Sequence, residues 1–124
     1  MPYSARSGRE RPLYEIKANL FKALAHPARI RVLEVLSASD DPVPVSELLK
    51  ITGLEATLLS QHLSVLRRHL VVNSNRVGNA VFYQLAHEQV ADLLVIARSF
   101  LADTLASQRD QLQVVESLPP VTAG

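Results

Sequence analysis

Residues 58–70, LLSQHLSVLRRHL, put two chemistries on one helix. Leu59, Leu63, Leu66 and Leu70 recur at helical spacing and make an apolar stripe. The opposite face carries Ser60, Gln61, Ser64, Arg67 and Arg68, with Thr57 just upstream. From Ala56 through Ala86 there is no Asp or Glu. Short hydroxyls and an amide present donors and acceptors suited to base edges, guanidinium groups attract phosphates, and carboxylates would repel them. Gln61 has the head group for bidentate pairing with adenine, whereas Thr57, Ser60 and Ser64 suit bases or phosphates. Arg67 and Arg68, nearer the helix C-terminus, suit the phosphate backbone. A merely solvated helix accounts for a polar face, but not for the exclusion of acids along the whole span.

The elements that must position these residues follow from periodicity. Val45 to Thr52 reads as a short helix with Leu48, Leu49 and Ile51 apolar, and Gly53 follows where a helix end wants positive φ. Two helices joined by a short Gly-containing turn form a helix-turn-helix. Val71–Arg76 and Ala80–Leu85 are β-prone runs separated by Val77-Gly78-Asn79, a hairpin signal. Asn75, Arg76 and Asn79 flank that turn, where a wing tip would meet the minor groove or its phosphates. Upstream, Pro27 to about Ala38 is a helix with Ile30, Leu33 and Leu36 inward, and His26 is its expected N-cap. Leu13 to Ala25 places Leu13, Ile16, Leu20 and Leu24 on one side and Tyr14 and Phe21 on another, which suggests contact beyond its own core. From His87 to about Val115 a long stripe runs through Val90, Leu94, Ala97, Leu101, Leu105, Leu112 and Val115. The expected fold class is mainly α with a small β-hairpin: a winged helix-turn-helix of four helices, a wing hairpin and a long C-terminal helix.

Bulk properties bound this reading. A chain of 124 residues, 48% apolar and 20% charged, suits one globular domain, expected over 13–115. Residues 1–12 are expected to be a flexible arm and 116–124 a disordered tail. The net charge of +1 gives little support to nucleic-acid binding by itself, so local distribution must carry the case. Cysteine is absent, which excludes disulfides and thiolate metal sites. No long apolar run or signal core stands out, so no membrane partner is expected and the protein is expected to be soluble and cytoplasmic. No Gly-rich phosphate loop, carboxylate pair or Ser-His-Asp arrangement suggests an enzyme, and no cofactor is expected. A winged helix used only for protein contact is the rival class; Arg67, Arg68 and Arg76 discriminate it.

Four stretches in unbroken order resemble the ArsR/SmtB winged-helix repressors: LAHPARIRVLEVL (24–36), SELLKITGL (46–54), LSQHLSVLRR (59–68) and RVGNAVFYQL (76–85). The resemblance covers about residues 13–105. It implies a homodimer that binds a palindromic double-stranded DNA operator and represses transcription until an inducer releases it. It also implies that the first and last helices form the dimer interface, through Leu13, Ile16, Leu20, Leu94, Ala97, Leu101 and Leu105. The small-molecule inducer, if one exists, is unidentified; Tyr14, Phe21 and Phe100 are aromatics that would line a pocket or pack as ordinary interface residues.

Many relatives of that family sense metals. The positions matching one family site are Pro44 and Ser46, neither able to bind a soft metal. Those matching the other are His87, Gln89, Phe100 and Asp103; Phe100 cannot ligate and Gln89 is a poor ligand, short of the three or four that zinc needs. The usual metal sites are therefore expected to be missing, and a metal-responsive repressor would need a non-standard site. Of the other histidines, His62 is expected to pack or face phosphate, and His69 ends its helix where a cation is favoured.

Overall fold

His26-Pro27 decides where a helix begins. Pro27 needs no N–H in a first turn, and His26 Nδ1 accepts the Ala28 N–H at 3.0 Å. In the computed structural model, which describes residues 11–117 (side chains of the last helix only through 111 and at 113), this cap separates α1, Leu13–Leu24, from α2, Pro27–Ala38. Val32, Leu33 and Leu36 of α2 are buried and form the centre of the core. After the Ser39–Pro42 loop comes β1, Val43–Pro44, then α3, Val45–Thr52, and α4, Ala56–Arg68. The strands β2, Val72–Val77, and β3, Ala80–Leu85, precede α5, Glu88–Ser117.

The sheet has three antiparallel strands in the order β1-β3-β2, one more than the hairpin expected. Val43 pairs with Tyr83 and Pro44 with Phe82. A two-residue strand directly after Pro42 carries no periodicity to read, and Pro44 within it is tolerated because β1 is an edge. Val77, expected in the turn, is the last residue of β2 and pairs with Ala80, leaving Gly78-Asn79 as a two-residue loop. Gly78 takes φ +64° at the first loop position, as a II′ hairpin requires.

Two chain reversals flank α4. At its start, Gly53 takes φ +68° and donates its N–H to the Leu49 carbonyl at 2.9 Å. The Thr52 hydroxyl donates to the Leu48 carbonyl and accepts the Leu54 N–H, so the turn is held from both sides. At its end, the Leu70 N–H donates to the Arg67 carbonyl and the Val71 N–H to the Leu66 carbonyl, each at 3.0 Å. This is a Schellman motif with leucine where glycine is preferred: Leu70 sits at φ 61°. Leu70 therefore does not continue the apolar stripe as its spacing suggested; it lies past the helix and is 76% exposed. The same motif uses Val71, so the strand begins at Val72.

The core joins Val32, Leu33 and Leu36 to Leu48, to Leu59, Leu63 and Leu66 of α4, and to Val43, Val71, Val72 and Tyr83. Of α1, only Ala23 and Leu24 are buried. The described residues up to Ala91 form one compact unit, and those from Asp92 onward form a second. The expected arm (residues 1–10 of it), the tail from residue 118, and the side chains of Leu112 and Val115 lie outside the described residues.

Candidate nucleic-acid interface

Burial divides α4 cleanly. Leu59, His62, Leu63 and Leu66 point inward, while Thr57, Ser60, Gln61, Ser64, Arg67 and Arg68 are all exposed. Their spacings of three, four and seven residues keep the exposed six on one face. No side chain caps the start of α4, where Glu55 precedes the helix, and Arg67 and Arg68 occupy its last turn, where the helix dipole favours cations. His69 ends the helix with Nδ1 3.0 Å from the Val65 carbonyl, a contact that a protonated Nδ1 makes as donor.

The hairpin places its polar residues on two sides. Alternation along β2 sets Val72, Ser74 and Arg76 on one face and Asn73, Asn75 and Val77 on the other. Val72 is buried, and Arg67 of α4 donates to the Ser74 hydroxyl at 3.4 Å, long for a hydrogen bond. Arg76 therefore shares the α4 side of the sheet with Arg67. Asn75 lies on the opposite face, where it lines a shallow cleft with Asp41, Pro42, Val77 and Phe82. Asn79 is exposed in the turn itself. Arg76 thus lies on the side of the sheet that faces α4, and Asn75 does not.

Beneath this face lies a residue whose packing, left open against a phosphate-facing role in the sequence, is settled by the fold. His62 is only 6% exposed, and its Nδ1 accepts from Arg29 Nε at 3.2 Å. Because Arg29 can only donate, Nδ1 must carry the lone pair and Nε2 the proton. Nε2 is buried without a hydrogen-bond partner. Arg29 also donates through Nη1 to the Ala23 carbonyl at 3.0 Å, and the His26 ring lies 4.4 Å from His62, tilted by 47°. Burial, then His26, then Arg29 hold the His62 pKa below its ordinary 6.5. The His-Pro signal located His26; nothing in the local pattern pointed to Arg29, because its two partners come from α1 and α4.

The apolar positions on the first and last helices are also exposed. On α1, Leu13, Ile16 and Phe21 are open and Leu20 is half-buried. On α5, Leu101, Leu105, Ala97 and Phe100 are exposed and Leu94 is half-buried. Val95 and Ile96, absent from the expected interface, are exposed as well. Among the described residues, no group of three or more His, Cys, Asp or Glu is placed to hold a metal ion, and no helix is long and apolar enough to cross a membrane.

Known proteins share this arrangement. A helix-turn-helix domain family model matches residues 24–75. The HTH-type transcriptional regulator Rv0081 of Mycobacterium tuberculosis is 50% identical over 108 residues, 86% of this chain and 90% of that one. The chain belongs to the ArsR-type winged helix-turn-helix transcriptional regulators. The crystal structure of Rv0081 superposes with a TM-score of 0.72 at 49% identity, covering 80% of this chain and 98% of that one. A solution structure from Mycobacterium bovis, described as the homodimeric winged helix-turn-helix DNA-binding domain of Mb0332, a possible ArsR-family regulator, gives 0.69 at 28% identity over 81% and 91%. The biofilm growth-associated repressor of Xylella fastidiosa is 33% identical over 94 residues, 76% of this chain and 80% of that one. This protein is a DNA-binding transcriptional regulator of that family.

Proposed function

We propose that the protein is a homodimeric repressor that reads a palindromic operator with α4 in the major groove. Thr57, Ser60, Gln61 and Ser64 meet base edges and nearby phosphates, Arg67 and Arg68 hold the backbone, and Arg76 and Asn79 carry the wing to the adjacent groove. Asn75, on the far face of β2, serves the wing's shape more than its contacts. The observation that carries this reading is the exposed, acid-free α4 face lying on the same side as Arg76. The Xylella relative is itself named a repressor.

Dimerisation rests on a second observation. Water tolerates scattered exposed apolar residues, but Leu13, Ile16, Phe21, Val95, Ile96, Phe100, Leu101 and Leu105 make extended apolar faces on two helices. A two-fold partner covers such faces, with Tyr14, Phe21 and Phe100 packing there in preference to lining an inducer pocket. The reading assigns DNA binding and dimerisation to residues 13–115, working in the cytoplasm where the DNA is. Two copies double the contacts and set half-sites about one helical turn apart, near 34–36 Å.

Footprinting of the purified chain on its own upstream region tests this reading. The expected result is protection of two inverted half-sites by a dimer. Absence of protection on every fragment at low ionic strength, with partner proteins still bound, would identify a protein-contact module instead.

A further inference from the structure

His62 lies directly beneath the reading face, between Gln61 and Leu63, and is the one polar side chain in the described core. It is bonded to a residue of a different helix, and that residue is bonded to a third. Arg29 of α2 donates to His62 Nδ1 on α4 and to the Ala23 carbonyl near the end of α1. One guanidinium thus ties the reading helix to a helix whose apolar face is assigned to dimer contact.

We propose that Arg29 and His62 form a proton-sensitive positioning joint, which holds α4 in its DNA-reading orientation only while His62 is neutral. This deepens the DNA-reading function above and rests on it.

The reason is the donor count. Neutral His62 offers one lone pair, on Nδ1, and Arg29 uses it. A second proton has nowhere else to go than Nδ1, which would set N–H against N–H at 3.2 Å and two positive charges side by side. The titratable and charged groups that act on His62 are His26, at the cap of α2, and Arg29 within α2; both are basic. From α1 the joint meets the Ala23 carbonyl, which Arg29 already occupies, and α4 itself contributes no carboxylate. His26 cannot relieve the ring, because its Nδ1 is taken by the Ala28 N–H. Protonation therefore breaks the Arg29 bond, and the ring must leave its buried site or push Arg29 away from α1. Either movement shifts Gln61 and the face beside it.

The sign distinguishes this device from ordinary electrostatics. Added positive charge on a DNA-binding surface strengthens attraction to phosphate, so charge alone would make affinity rise on acidification. The joint predicts the reverse. Since the folded pKa is depressed, the stabilising contribution is present above 6.5 and is lost as pH falls through the lower folded value.

The test measures operator affinity by fluorescence anisotropy at constant ionic strength, from about pH 7.5 down to about pH 5. Wild type should lose about tenfold per pH unit for each proton taken up below the transition. His62→Asn, whose Oδ1 keeps an acceptor near the Nδ1 position and cannot titrate, should remain nearly flat. Arg29→Met, which leaves no bond for protonation to break, should bind the operator more weakly at about pH 7.5 and lose most of the pH dependence. Imidazole ¹⁵N spectra of the free protein should show the Nε2–H tautomer and backbone shifts of Gln61, Ser64 and Ala23 that follow His62 titration. Flat or rising wild-type affinity on acidification, or His62→Asn responding like wild type, overturns the joint. If no duplex is retained at about pH 7.5, the DNA reading fails instead. The joint itself then stands or falls on whether those α4 and α1 shifts follow His62.

Discussion

Two kinds of exposed surface on this molecule differ wholly in chemistry. The α4 face presents hydroxyls, an amide and arginines, each of which water solvates without penalty. The faces of α1 and α5 present leucine, isoleucine, valine and phenylalanine, with Leu13 at 61% and Phe100 at 66% exposure. Removing that apolar area from water yields about 25 cal/mol per Å², so the second surface gains free energy from a partner of any matching shape. The first gains only from a partner that replaces its water hydrogen bonds geometrically and supplies negative charge. An apolar face specifies that an association occurs; a polar, acid-free face specifies with what.

The sharpest way to break the comparison is to give the apolar face the chemistry of the other. Leu101→Asp should convert the dimer to monomer in sedimentation, and lower operator affinity on the order of a thousandfold, toward the non-specific level. If operator binding survived in a monomer, the coupling between the two surfaces would be wrong. Next, Arg67→Ala with Arg68→Ala should weaken all duplexes by about a hundredfold at low salt and reduce the salt slope by about 2, while sedimentation still reports a dimer. Smaller and more selective, Gln61→Ala should cost about 1–2 kcal/mol against operators keeping the contacted base pair and almost nothing when that pair is changed. Equal loss on every sequence would make Gln61 a phosphate contact.

The smallest effect sharpens the comparison from a different side. Leu70 is exposed and apolar, yet it belongs to the helix end and not to the association faces. Holding leucine at φ 61° costs about 1 kcal/mol. Leu70→Gly should therefore raise the unfolding free energy by somewhat under that amount, because glycine also loses more entropy on folding. Chemical denaturation reads the gain, and dimer mass and operator affinity should not change.

Much of the frame was legible in the residues. His26-Pro27 marked a helix start, Gly53 a helix end, and Gly78-Asn79 a hairpin, because each is a local conformational requirement that few residue types satisfy. The two-sided α4 was legible for the same reason, since period 3.6 separates its faces whatever packs against them. Three things were not. The edge strand β1 is too short to carry a period and exists only because β3 offers it a partner. Leu70 fitted the spacing of the stripe but fell past the last helical turn, where the Schellman bonds decide the conformation. Asn75 and Arg76 looked equivalent as neighbours, and the pleat sends them to opposite faces.

What the chain alone determined is therefore which of the longer segments are helix or strand, which side of each helix is apolar, and that acids are kept from residues 56–86. Those properties are local: backbone preference, capping and periodicity act within a few residues. Only the tertiary structure decided that Arg29 reaches both Ala23 and His62, that Arg67 and Arg76 share a face, and that β1 closes the sheet. These depend on residues far apart in sequence, 33 positions for Arg29 and His62 and more for Val43 and Tyr83, and no local signal encodes which distant partner a residue will meet.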